Sequence, residues 1–232
     1  MVDQAALAHA FTRFAHTITN DYEIGDLLHQ LSDQAVDVLD VTAAGLSLAH
    51  PAGRLCPLTA THDLAVHVEE RQTQTRQGPG NDAYHTGKPV FVADLNTVEA
   101  WPAYTATALE AGCQAVAGLP MRTEGARIGA LTLYCDHPRS WADDVEVAQL
   151  LADMATGYVV NAAKPKRPQQ LAEQLQQALH SRIVIEQAKG ILAERQDIDV
   201  TAAFEVLRGY ARSHNSRLHI AAQAVVAGTA RP

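Results

Sequence analysis

Cysteine is sparse in this chain, and the three that occur, Cys56, Cys113 and Cys135, are odd in number and far apart. Such spacing suits neither a disulfide framework nor a Cys-x-x-Cys metal site, so buried thiols are expected. Long apolar runs are missing as well. No stretch approaches the roughly 18 residues needed to span a bilayer, and no membrane association is expected. The N-terminus, MVDQAALAHAFTRFAHTI, has no basic segment leading into an apolar one, which places the chain in the cytoplasm. Catalytic signatures are also absent: the eleven histidines are scattered, and His62 and His67 are five apart, off any common helical face. Neither a catalytic residue nor a metal ligand is expected.

What the chain does contain is an ordinary soluble composition, 47% hydrophobic and 19% charged, over 232 residues. That length suffices for two small domains, each with its own core. Charge divides them: residues 1–163 hold 8 Lys and Arg against 20 Asp and Glu, a balance of −12, whereas 164–232 hold 10 against 6, a balance of +4. A basic module tethered to an acidic one points to an anionic partner for the basic part, with nucleic acid first. The boundary is NAAKPKRPQQ, where Pro165 and Pro168 flank Lys166 and Arg167. It divides the chain into a domain over 1–163, a linker over 164–168 and a helical domain over 169–232.

Upstream of the linker, strand-like runs recur at 43–49, 55–60, 88–95, 114–121 and 127–135, with Gly-containing connectors PAGR and RTEGA that suit hairpins. Helical patterns flank them at about 3–19, 22–40, 61–76 and 143–163, and the stretch between the third strand and the last hairpin reads as irregular. The order argues an α+β domain with a mainly antiparallel sheet and helices on one face. Tyr84, Phe91, Trp101 and Tyr104 cluster around the irregular segment and are the candidates for lining a ligand pocket.

Downstream the pattern is wholly helical. Leu171, Leu175 and Leu179 form an i, i+4 stripe, and Val184, Ala188, Ile191 and Leu192 continue an apolar face along the same long helix. Asp199 suits the N-cap of a second helix with Ala203, Phe204, Leu207, Tyr210 and Ala211 inward. Asn215 suits its close, and Ser216 the cap of a third helix with Leu218, Ala221, Ala222 and Val225 inward. The leucine stripe overhangs the shorter helices, which predicts a coiled-coil homodimer, with the helices near 3–19 and 143–163 contributing. On a wheel of about 100° per residue, Lys189 falls about 20° from Arg182 and opposite the apolar face. Gly190 lies off that face too, although a mid-helix glycine costs roughly 1 kcal/mol relative to alanine. Arg208 and Arg212 stand four apart on the next helix. A bare backbone beside cations suits close approach of phosphates, which makes Arg182, Lys189, Gly190, Arg208 and Arg212 the candidate nucleic-acid contacts; the alternative is solvated charges, with Gly190 a contact across a dimer. Phe204 and Tyr210 are expected inward, leaving no broad platform for stacked bases.

Two resemblances sharpen this reading. QGPGNDAYHTGKPVFVADL, WPAY and AGLPMRTEGARIGALTLYCDHP, followed by LLADMAT, resemble the GAF sensory domains of actinobacterial signalling proteins over most of residues 20–160. That resemblance implies an antiparallel sheet with flanking helices and a pocket for a small molecule. Relatives bind cyclic nucleotides, haem, tetrapyrroles, small metabolites or nothing, so the cofactor stays undefined. Gly80 stands where many relatives carry a cysteine, which excludes thiol chemistry there. LHSRIVIEQAKGILAERQDIDVTAAFEVLRGYARSHNSRLHIAAQAVV is similar to the ANTAR domain, a three-helix RNA-binding module of bacterial antiterminators, with Ala188, Lys189 and Gly190 matching its alanine-lysine-glycine triplet. The resemblance implies binding of paired hairpins in leader transcripts, so that an overlapping terminator cannot form. The runner-up is a signalling adaptor whose helices only dimerise or dock a protein. A DNA-binding helix-turn-helix is weaker still, since the third helix offers only Arg217, His219 and Gln223 as readers.

Overall fold

Alternating apolar and small residues in 43–49 and 127–135 form the centre of an antiparallel sheet, and the elements around it follow the chain in order. The computed structural model describes residues 3–17, 23–163, 168–214, 216–230 and 232, which fall into two units. The first begins with α1 (Gln4–Thr17), α2 (Ile24–Leu39), β1 (Ala43–Ala49), β2 (Leu55–Ala60), α3 (Asp63–Thr75), α4 (Pro79–Thr86) and β3 (Val90–Val92). It continues through α5 (Pro102–Glu110), β4 (Ala115–Arg122), β5 (Arg127–Cys135) and α6 (Val145–Ala163). The strands pair antiparallel in the order β2-β1-β5-β4-β3.

Cross-strand register decides what each face presents. Thr132 sits opposite both Gly45 and Gly118, and Tyr134 opposite Ala43 and Val116, so these side chains share one face with Ser47, two residues beyond Gly45. The helices α3 and α4 lie over this face: Pro79 at the start of α4 rests on Gly118, and Glu69 of α3 on Gly45. Every residue from Ala115 to Met121 and from Gly129 to Cys135 is buried. The sheet is therefore covered on both faces rather than on the one expected, and α6 packs along β4 and β5. The stretch expected to be irregular contains α5, and α4 precedes β3. Each opens with proline in its first turn, Pro79 and Pro102, which suits a ring without an N–H to donate. Glycine-flanked pieces this short carry too few turns to show a helical period.

The second unit consists of α7 (Pro168–Gln196), α8 (Val200–Ser213) and α9 (Leu218–Val226). Asp199 caps α8 as expected, its carboxylate accepting from the Ala202 N–H at 2.7 Å. Arg217, not Ser216, occupies the N-cap of α9 and makes no side-chain bond there. Linker residues 164–167, Asn215 and the Leu171, Leu175 and Leu179 side chains lie outside the described residues.

Candidate RNA interface and sensor core

The helical unit closes around Val184, Ile185, Ala188 and Leu192 of α7, Ala203, Phe204, Leu207 and Ala211 of α8, and Ala221, Ala222 and Val225 of α9. That core keeps Val184, Ala188 and Leu192 of the face assigned to α7 but rotates it. Ile185 is inside, Ile191 is only partly buried and Ile183 stands 55% exposed, so the buried face centres nearer Ile185 and Leu192. Lys189, four residues after Ile185, comes round to this side and is 4% exposed. It is therefore not part of an outward ridge. Its Nζ donates to the Glu186 carboxylate at 3.1 and 3.2 Å and lies 5.3 Å from the centre of the Phe204 ring. The Arg208 guanidinium stands 5.7 Å from the same ring and pairs with Glu205 at 3.0 Å. One buried aromatic thus holds a cation from each of two helices, a contact worth about 0.5–2 kcal/mol for each.

The remaining candidates divide. Gly190 is exposed, and a Cβ built there would meet nothing within 4 Å, so no neighbour in this unit requires the glycine. The same holds for Gly209, directly after Arg208, which sequence reasoning missed. Arg212 is exposed, whereas Arg182 and Arg208 are half-buried. Phe204 points inward as expected. Tyr210 does so in part: it is half-buried against the core and stacks on exposed His214 with ring centres 4.0 Å apart.

In the sheet-based unit, the four aromatics proposed for a pocket do not meet in one place. Trp101 and Tyr104 sit edge to face in the core under α3 and α5, and Trp101 Nε1 donates to Asp82 at 3.0 Å. Tyr84 packs on His85. Phe91 faces Trp141 across a separate open groove of about 590 Å³. What lies between α3 and the sheet is polar. Glu69, fully buried, accepts from Ser47 Oγ at 2.6 Å and from Tyr134 Oη at 2.7 Å, with the Gln72 amide at 3.4 Å. Gln72 in turn accepts from the backbone N–H of Gly80 at 2.9 Å and of Asn81 at 3.2 Å, fixing the start of α4.

A GAF domain model matches residues 22–157, more than half of the chain. The chain belongs to the GAF domain family. An ANTAR domain model matches residues 173–226 behind it, so the architecture is a GAF domain followed by an ANTAR domain, families of sensory and regulatory modules and not of catalytic ones. Solved structures agree on the first fold. The domain of a two-component sensor histidine kinase protein from Sinorhizobium meliloti 1021 is 19% identical, covers 66% of this chain and 99% of its own, and superposes with a TM-score of 0.53. The GAF domain of an Acinetobacter phosphoenolpyruvate-protein phosphotransferase gives 14%, 69%, 96% and 0.53. That of the Coxiella burnetii counterpart gives 13%, 68%, 95% and 0.50. No curated protein matches the sequence. Among the described residues, no helix is long and apolar enough to cross a membrane.

Glu69 and Gln72 of the GAF domain escaped sequence reasoning because EERQTQ reads as a solvated helical face. The available signal was spacing: Ala65, Val68, Glu69 and Gln72 follow the i, i+3, i+4 pattern of one buried face. Two cysteines are buried as expected, and Cys56 is partly exposed. Burial pushes the Cys113 thiol up from 9.0 to about 12, and raises the Tyr104 and Tyr134 phenols well above 10.0. The folded state then keeps these protons where the unfolded chain releases them. Their stabilising contribution is complete below pH 9 and declines as pH rises past 9 and then 10. Denaturant midpoints should fall over that alkaline window, and Cys56 should react with thiol reagents long before Cys113. Equal reaction rates at neutral pH would contradict the placement of Cys113.

Proposed function

We propose that this chain is a signal-responsive RNA-binding regulator that grips stem-loops in leader transcripts and so prevents terminator formation, working in the cytoplasm as a homodimer. The GAF domain supplies the signal by holding a small molecule, and the ANTAR domain reads RNA. The observation that supports this most is the pair of bare helical glycines. Gly190 and Gly209 cost their helices roughly 1 kcal/mol each relative to alanine, yet neither is required by a neighbour in its own unit. A phosphate backbone arriving at Cβ distance would compensate for that loss, and Arg182, Arg208 and Arg212 supply charge nearby. Lys189 braces Phe204 behind this surface rather than touching RNA. Exposed Ile183 extends the Leu175 and Leu179 spacing by a further four residues, which supports a helical seam for the dimer.

Hairpin binding by fluorescence anisotropy tests the reading. Arg212→Ala should weaken binding to every hairpin alike and make the dependence of log affinity on log salt shallower by about one unit. Gly190→Ala should stabilise the bundle by up to about 1 kcal/mol while impairing RNA affinity. A more stable variant that binds normally would return Gly190 to a structural role. Transcription through a leader carrying paired hairpins should show increased readthrough when the protein is added. Failure to bind any paired hairpin would leave the adaptor reading in place.

A further inference from the structure

The buried face of the GAF sheet holds more oxygen than its hydrogen bonds account for. Glu69 is fully buried, and the groups bonded to its carboxylate are two hydroxyls and one amide, none of them a cation. Near it Tyr104 Oη and Thr132 Oγ1 are buried without a hydrogen-bond partner in the protein. Thr132 stands cross-strand from Gly45, which lies against Glu69, and Tyr104 and Gln72 both flank Gly78. A buried carboxylate hydrogen-bonded by neutral groups beside unpartnered hydroxyls is a costly arrangement, and native cores seldom keep one without a reason.

We infer that Glu69 and the hydroxyls around it form a site for a small N–H-bearing cation, an ammonium ion or a protonated primary amine. The inference rests on the reading of the GAF domain as the sensor of a small molecule and names the class of that molecule. A proton on Glu69 would remove the charge and leave the hydroxyls orphaned. A water molecule would satisfy hydroxyls and leave the charge. A cation bearing N–H groups answers both, because the carboxylate and the free lone pairs of Tyr104 and Thr132 are all acceptors. Calcium and magnesium ions fit poorly, since they require about six or more oxygens, and zinc favours Cys and His ligands, where this site offers a carboxylate, an amide and hydroxyls. Size is restricted too. A Cβ added at Gly45, Gly80 or Gly118 would come within 2.9 Å of Glu69, Thr132, Gln72 or Pro79, so protein atoms already close over these glycines and only a guest of very few heavy atoms can enter beside the carboxylate.

The test follows the melting temperature of the full chain in chloride salts at matched ionic strength. Ammonium and methylammonium should raise it saturably, by about 2–4 °C near saturation, whereas sodium and tetramethylammonium, which has no N–H to donate, should not. Glu69→Gln should abolish the response. Should that variant fail to fold, Tyr104→Phe keeps the ring, removes one acceptor and should raise the half-saturating ammonium concentration several-fold. No saturable shift with ammonium, an equal shift with potassium, or an unaltered response in both variants overturns the inference. A shift produced by a neutral or anionic metabolite, with none from the amines, would overturn it while leaving the sensor reading intact. No RNA enters the measurement, so the antitermination reading stands or falls separately.

Discussion

Gly118→Ala is expected to destabilise the GAF domain by about 3 kcal/mol or more, as overpacking into backbone does. The added Cβ would fall 2.3 Å from the Pro79 carbonyl oxygen, 2.4 Å from its carbon and 2.7 Å from the Gly80 nitrogen. No side chain can swing away to relieve such a contact. Strand β4 is paired on both edges, to β3 and β5, so relief requires α4 to lift from the sheet. Lifting it would break the bonds that Gln72 makes to the Gly80 and Asn81 N–H groups. In a chain of this size the melting temperature should fall by about 6–12 °C. Gly125→Ala, in the β4–β5 turn with open space around it, is the control and should change little. A Gly118→Ala protein melting with the wild type would show that α4 does not rest on β4.

Phe204→Ala should cost the helical unit about 3–5 kcal/mol, the usual range for removing a buried aromatic. The ring sits among Ala188, Leu192 and Leu207 in the core and receives both Lys189 and Arg208 on its surface. Its loss strips the aromatic surface from buried Lys189, whose Nζ pairs with Glu186. Amide exchange in α7 and α8 of the full chain should accelerate about 100-fold or more, reflecting the lower free energy of local opening. RNA affinity should fall with it, because the arginines lose their fixed positions. Lys189→Met, which keeps an apolar stem but no charge, should accelerate exchange far less. Unchanged protection in Phe204→Ala would remove the ring from its bracing role.

The sheet, its antiparallel pairing and the division into sensory and helical parts could be read from alternation, turn residues and charge balance. The helix faces could not be read as well, and α7 shows why. Ile183, Ile185 and Ile191 are equally apolar in sequence, but only Ile185 is fully inside, because choosing among neighbouring stripes requires knowing where the partner helices lie. Choosing Ile191 rotated the wheel and turned Lys189 outward. Glu69 failed for a related reason: acidic residues are assigned to the surface by default, and only the cross-strand positions of Gly45, Ser47 and Tyr134 reveal the room made for a carboxylate. The short helices α4 and α5 were hidden by the same glycines and prolines that begin them.

The brace at Phe204 separates two kinds of electrostatics in one small module. Lys189 and its ring contact are shielded from solvent, and ions in solution reach such pairs poorly. Arg212 on the outer surface is open to them. On the proposed reading, raising salt should loosen the grip on RNA while the frame that presents it keeps its shape, so an ionic-strength titration should count phosphate contacts and not unfolding.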